Sequence, residues 1–123
     1  MSQSERIFVY GSLKRGCELA VELQDQEFLR TAITQPVYRM FDCGSYPGLI
    51  RVARDGIAVN GELYSVSQSC LKRLDRVEGV DEGMYERRRI ELQAPDDSCP
   101  AWAWFYLRPV AGLRDCGRSW PCP

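Results

Sequence analysis

The distribution of helix-like and strand-like segments constrains the fold of this chain more than any other feature of its sequence. Only one segment has clear helical signals. Ser67 is a favourable N-cap and Gly79 a natural C-terminal stop. Between them apolar residues recur every three positions, at Leu71, Leu74 and Val77. We therefore predict one clear helix, ending close to Glu78.

The remaining apolar segments are short and have patterns typical of strands. They are Arg6–Tyr10, Ile33–Met40, Leu49–Ala53, Ile57–Val66, Met84–Gln93 and Ala101–Leu107. Glu18–Leu29 allows a second, short helix, and Cys43–Gly48 is a dense turn signal. Strands outnumber helices and do not alternate regularly with them, which argues against a parallel doubly wound sheet. We predict an α+β fold: a small, mostly antiparallel β-barrel flanked by short helices.

The length of 123 residues fits a single domain. We predict one domain over residues 1–123, with a motif-bearing core at about 6–107 and a C-terminal tail at 108–123. No signal peptide and no segment of transmembrane length is apparent, so we expect a cytoplasmic protein with no membrane partner. The net charge is -1, which indicates no nucleic-acid partner.

The cysteines form no C-x-x-C pair and have no histidine with which to build the usual zinc sites. They are Cys17, Cys43, Cys70, Cys99, Cys116 and Cys122. Without an export signal, we expect reduced thiols that act mainly as small apolar packing residues. We therefore expect no metal site that needs imidazole.

The complete lack of histidine restricts the chemistry further. It excludes Ser-His-Asp and Cys-His nucleophile systems. If the chain is an enzyme, a carboxylate, tyrosine, lysine or cysteine must move its protons.

A strand that breaks into a glycine-flanked turn forms the first candidate site, at residues 9–16. Such a turn can point successive backbone N–H groups outward to bind a carboxylate or a developing oxyanion. The alternative is an ordinary strand-to-loop turn. A phosphate-binding P-loop is excluded because its glycine-lysine spacing is absent.

Glu78 is the second candidate. The partial negative charge at a helix C-terminus disfavours a carboxylate, and burial after apolar Val77 would add to this effect. Both effects raise the pKa of the Glu78 carboxyl toward the range of a general base. The alternative is a solvated carboxylate paired with Arg76 or Arg87.

Three arginines follow one another at residues 87–89. Successive side chains of a strand point to opposite faces, so the three do not form one cationic patch. We expect them to lie at the solvated rim of a strand and to pair with acidic side chains.

Five short motifs in a fixed order resemble the γ-glutamylcyclotransferase-like family, which includes the AIG2-like proteins and the γ-glutamylamine cyclotransferases. The motifs are Val9–Leu13, Tyr46–Leu49, Gly61–Tyr64, Leu74–Gly79 with Tyr85–Arg87, and the aromatic strand Ala101–Tyr106. Each motif is weak alone, but their order across residues 6–107 is specific. Ser12 stands where the family more often has threonine, a change that keeps the hydroxyl.

The resemblance implies a small β-barrel that releases an amine from a γ-glutamyl amide. The α-amine of the glutamyl group attacks its own γ-carbonyl, giving 5-oxoproline. Glu78 matches the family's catalytic glutamate, and the backbone amides of the turn would hold the glutamyl group. The substrate-binding residues predicted on this basis are Tyr10, Gly11, Ser12, Leu13, Tyr46, Pro47, Gly48, Tyr85 and Tyr106. Since the substrate supplies the nucleophile, no histidine, metal or cofactor is needed.

Two alternatives remain open from the sequence. One is a non-catalytic domain of the same fold that binds a γ-glutamyl compound or another small molecule, against which the intact Glu78 argues. The other is a thiol amidase, for which Cys17 near the glycine turn is the only candidate of interest. The sequence indicates neither the leaving amine nor the oligomeric state.

Overall fold

The computed structural model describes residues 4–121, which form seven strands, one α-helix and two short 3-10 helices. The strands are β1 (Ser4–Val9), β2 (Glu27–Ile33), β3 (Tyr38–Asp42), β4 (Pro47–Arg51), β5 (Asn60–Ser67), β6 (Tyr85–Arg89) and β7 (Trp102–Tyr106). The helix α1 spans Gln68–Val77, and the 3-10 helices span Ala20–Leu23 and Asp96–Ser98.

Five strands form one open sheet in the order β2-β5-β1-β7-β6, and β3 and β4 form a separate two-stranded sheet. All pairs are antiparallel except β1 with β7, which run parallel with Ile7 opposite Trp102. The predicted α+β, mostly antiparallel fold is therefore confirmed. The predicted barrel is not, because the sheet formed by the described residues stays open between β2 and β6.

Each face of the five-stranded sheet is covered by its own apolar layer, because successive side chains of a strand point to opposite faces. Along β1, Ile7 and Val9 pack with α1 residues such as Leu71, whereas Phe8 packs toward Met40 of the small sheet. Three of these side chains, Ile7, Phe8 and Met40, have no exposed surface. β1 is thus the central strand of the five-stranded sheet, and its buried end leads into the turn at residues 10–16.

Two segments differ from the sequence predictions. The prediction of a short helix over Glu18–Leu29 is wrong. This segment contains one 3-10 turn, at Ala20–Leu23, and β2 begins at Glu27. Phe28 instead pairs with Tyr64 of β5, with ring centroids 5.4 Å apart, so cross-strand packing prevails over the weak helical pattern. The strand expected over Ile33–Met40 is divided into the end of β2 and the start of β3.

The C-terminal tail packs along the small sheet. The Asp42 N–H donates to the Arg114 carbonyl at 2.8 Å, and the Cys116 N–H donates to the Met40 carbonyl at 2.8 Å. Trp120 is partly buried against the same apolar layer. The tail is therefore part of the domain as far as residue 121.

The prediction of reduced cysteines is wrong for Cys17, which is disulfide-bonded. Cys43, Cys70, Cys99 and Cys116 are free thiols. Cys122 lies outside the described residues. The prediction rested on the lack of an export signal, whereas the fold decides whether two thiols reach bonding geometry.

Within residues 4–121, no helix is both long and apolar enough to cross a membrane.

Candidate active site

The C-terminal end of α1 positions Glu78. The Ser67 hydroxyl accepts the Cys70 N–H at 3.1 Å and caps the start of the helix, as predicted. Glu78 is the C-cap, and its N–H donates to the Leu74 carbonyl at 2.9 Å. Gly79 then adopts a φ of +69°, a left-handed conformation that glycine favours. Its position fixes where the chain leaves the helix, and with it where the Glu78 side chain starts.

A cavity of about 250 Å³ lies between this helix end, the turn after β1 and the starts of β4 and β6. Eight of the ten predicted site residues line it: Tyr10–Leu13, Tyr46, Pro47, Glu78 and Tyr85. Glu18, Leu19, Ser45, Val77 and Met84 also line it. None of these five was predicted as a site residue, although Val77 lies within the Leu74–Gly79 motif.

Gly48 and Tyr106 do not line the cavity. Gly48 lies beneath the Tyr106 ring, where a Cβ atom would stand 2.7 Å from Tyr106 Cγ. Tyr106 in turn packs edge-on against Tyr85, with ring centroids 5.4 Å apart. The structure therefore places both residues behind the cavity wall, and their predicted contact with substrate stays a prediction.

The turn after β1 has backbone N–H groups with no hydrogen-bond acceptor among residues 4–121. The Gly11 carbonyl accepts the Lys14 N–H at 3.0 Å and the Ser12 carbonyl accepts the Leu19 N–H at 2.8 Å. The N–H groups of Gly11, Ser12 and Leu13 donate to no group within residues 4–121. A Cβ atom at Gly11 would overlap the Pro47 ring, so glycine is required for this close approach. Unpaired amides in a cavity wall are suited to binding an anionic or carbonyl oxygen.

Glu62 anchors this turn from β5. Its carboxylate accepts the Arg15 N–H at 2.9 Å, the Arg15 Nε–H at 3.2 Å and the Tyr64 hydroxyl at 3.3 Å. Glu62 is one of only three buried polar or charged residues among those described. The Gly61–Tyr64 motif identified this glutamate in the sequence without indicating its role, because its partner is 47 residues away.

The hydroxyl groups of two tyrosines in the cavity wall are already hydrogen-bonded to the backbone. The Tyr10 hydroxyl donates to the Trp104 carbonyl at 2.7 Å and accepts the Leu49 N–H at 3.3 Å. The Tyr85 hydroxyl donates to the Pro47 carbonyl at 2.6 Å. Burial raises the pKa of both phenols well above the ordinary value, so both stay neutral. These tyrosines shape the cavity, and neither is suited to act as a base.

Burial raises the pKa of the Glu78 carboxyl from its usual 4.5 to about 7. No group within residues 4–121 hydrogen-bonds this carboxylate. At neutral pH the group is therefore divided between its acid and base forms, the condition in which it can accept and return a proton. The predicted upward direction of the pKa shift is confirmed, with burial as its cause.

The alternative of a surface ion pair for Glu78 is wrong. Arg87 instead contacts Asp75, with Nε 2.9 Å from Oδ1, and that same oxygen accepts Trp104 Nε1–H at 2.9 Å. Asp75 thereby ties α1 to β6 and β7 directly beside the site. Arg76 makes no ion pair within residues 4–121.

The other two arginines of residues 87–89 lie near acidic side chains, as predicted. Arg88 lies 3.9 Å from Glu86, and Arg89 lies 3.9 Å from Glu5. The run therefore does not form a single cationic patch.

The fold is that of a small AIG2-like α+β domain. The chain superposes on a solved AIG2-like protein from Mus musculus with a TM-score of 0.71 and 26% identity, covering 89% of this chain and 80% of that one. The family model described as "Gamma-glutamyl cyclotransferase, AIG2-like" matches residues 7–121. The chain therefore belongs to the γ-glutamylcyclotransferase family.

Two curated relatives are enzymes by name. A Danio rerio protein named gamma-glutamylaminecyclotransferase C is 35% identical over 97 residues, which cover 73% of this chain and 63% of the relative. An Arabidopsis thaliana protein, provisionally named a gamma-glutamylcyclotransferase, is 41% identical over 97 residues, covering 73% of this chain and 52% of the relative. The matched region thus spans between half and two thirds of these two relatives.

Proposed function

We propose that this protein releases an amine or amino acid from a γ-glutamyl amide by intramolecular aminolysis, with 5-oxoproline as the second product. The observation that carries the proposal is the Glu78 carboxyl, which is partly buried and has a pKa of about 7. It has no hydrogen-bond partner within residues 4–121, and it lines the same cavity as the turn that bears the unpaired backbone amides. Membership of the family and the names of its relatives support the same reaction class.

The reaction needs one residue to carry a proton in both directions. The Glu78 carboxylate takes a proton from the substrate's α-ammonium, and the freed amine attacks the γ-carbonyl carbon. A new C–N bond forms, and the carbonyl oxygen becomes an oxyanion. When the oxyanion collapses, the bond to the leaving nitrogen breaks. The protonated Glu78 returns its proton to that nitrogen as the bond breaks. The ring nitrogen still carries two hydrogens, so the regenerated Glu78 carboxylate takes the second proton and passes it to the released amine, leaving 5-oxoproline and an ammonium ion.

The turn after β1 supplies the remaining requirements. The unpaired amides of Gly11, Ser12 and Leu13 are donors for the glutamyl group or for the developing oxyanion. Glu62 holds the turn in place through Arg15. Since the nucleophile and the carbonyl belong to one molecule, a cavity that keeps them together gains a large effective molarity.

The direct test is to incubate the purified protein with a panel of γ-glutamyl amides and to measure 5-oxoproline by mass spectrometry. We expect product from at least one substrate. Glu78→Gln keeps the size of the side chain but cannot accept a proton, so we expect turnover to fall at least about a hundredfold.

Glu27→Gln is the matched control, because Glu27 is exposed, lies outside the cavity and has no ion pair within residues 4–121. It should keep wild-type activity. The proposal would be overturned by a lack of product from every substrate, or by full activity in Glu78→Gln. Ligand binding without product would instead favour the non-catalytic alternative.

A further inference from the structure

The charges on the cavity wall are of one sign. Among the described residues that line it, the only ionisable groups besides tyrosine are Glu18 and Glu78, and none is a lysine or arginine. Glu78 is committed to proton transfer in the proposed reaction. Glu18 therefore remains without an assigned role.

The cations nearest to Glu18 in sequence are engaged elsewhere. The Lys14 ammonium donates to the Trp120 carbonyl at 2.9 Å. Arg15 pairs with Glu62 and stacks on the Phe28 ring, 3.8 Å from its centroid. Glu18 itself has no hydrogen bond or ion pair with any group in the described part of the chain. Its carboxylate is thus available to a ligand.

The position of Glu18 relates it to the leaving group. Glu18 is exposed, whereas Gly11 and Leu13 of the amide-bearing turn are buried and Glu78 is partly buried. The reacting carbonyl must lie at Glu78 and the unpaired amides, which places the glutamyl group in the deeper part of the cavity. The leaving amine then extends toward the exposed side, where Glu18 lies.

On the basis of the proposed function, we infer that the leaving amine of the preferred substrate bears an ammonium group at its far end, in addition to the glutamyl α-ammonium. We infer that Glu18 selects substrates with this second ammonium group. The substrate class is the γ-glutamyl monoamide of a diamine, whose distal ammonium pairs with the Glu18 carboxylate. An amino-acid leaving group would instead bring a carboxylate to a wall that has an acid and no cation, which is unfavourable. Glu18 is a specificity residue in this proposal and takes no part in proton transfer.

Three substrates of similar size test the inference: γ-glutamyl amides of 1,5-diaminopentane, n-hexylamine and 6-aminohexanoate, whose distal groups are cationic, neutral and anionic. We expect kcat/KM to decrease in that order. An exposed ion pair supports a preference of about two- to fivefold for the cation over the neutral amine. The preference should shrink in about 0.5 M NaCl, where exposed charges are screened.

Glu18→Gln should remove the preference for the cationic over the neutral substrate, and Glu27→Gln should preserve it. Equal kcat/KM for the cationic and neutral substrates in the wild type would overturn the inference, as would a preference that survives Glu18→Gln. An equal loss on all three substrates in Glu18→Gln would also overturn it, since it would place Glu18 against the glutamyl α-ammonium. These results presuppose 5-oxoproline formation, whereas failure of the proposed function gives no product from any substrate.

Discussion

Replacing Glu78 by glutamine should make the protein more stable at neutral and alkaline pH. Burial raises the pKa of this carboxyl from 4.5 to about 7, so ionising it is harder in the folded than in the unfolded chain. Glutamine has the size of the protonated acid and never ionises. The substitution therefore removes the cost of keeping a charge in the cavity.

The size and pH range of the effect follow from the two pKa values. Below about pH 4.5 the acid is protonated in both states, and wild type and Glu78→Gln should have similar stability. Between pH 4.5 and about 7 the unfolded chain releases a proton that the folded chain retains. The wild type accordingly loses stability over this range relative to the variant. Above about pH 7 the difference is constant, on the order of 3 kcal/mol at about 1.36 kcal/mol per pH unit.

Urea denaturation at a series of pH values, followed by tryptophan fluorescence, measures this difference directly. Subtracting the wild-type free energy of unfolding from that of Glu78→Gln cancels the titration of other groups. Glu27→Gln should give a flat difference across the same range. A difference for Glu78→Gln that is also flat between about pH 4 and pH 8 would refute a raised pKa, and with it the acid–base role built on Glu78.

Three further expectations follow from the same structure. If Glu78 is the base, kcat/KM should rise with pH through an apparent pKa near 7. Initial rates of 5-oxoproline formation measured from about pH 5 to pH 9 test this, and a kcat/KM that does not change with pH would contradict it. Gly11→Ala places a Cβ atom against the Pro47 ring and should displace the turn; we expect a raised KM with folding retained by circular dichroism, and an unchanged KM would contradict the required close approach. Ser67→Ala removes the acceptor for the Cys70 N–H and should cost about 1 kcal/mol of stability by urea titration, with no change in KM.

The parts of the site that could be predicted from the sequence are those set by interactions between residues close together in the chain. Ser67, the apolar spacing and Gly79 define a helix whose end places Glu78, and these signals act within a few residues of one another. The glycine at position 11 likewise marks the turn that bears the unpaired amides. In both cases the residues that fix the conformation are neighbours in the chain.

The parts that could not be predicted depend on distant partners. The alternation of a strand shows which side chains share a face but not which strand lies beside it, so the parallel pairing of β1 with β7 was not foreseen. Glu62 and Asp75 belong to recognisable motifs, yet their partners Arg15 and Trp104 are 47 and 29 residues away. Glu18 belongs to no motif, and only the fold brings it to the cavity.

The parallel pairing of the central strand has a consequence for synthesis on the ribosome. β1 emerges before the other strands of the domain, whereas its neighbour β7 is the last strand to follow. The Tyr10 hydroxyl likewise finds its acceptor, the Trp104 carbonyl, 94 residues later. Until then the edge of β1 that faces β7 has no strand beside it, as is typical of folds with long-range pairings. A nascent or truncated chain that stops before residue 102 would therefore have no closed cavity wall, and we expect it to need chaperone protection and to show no activity.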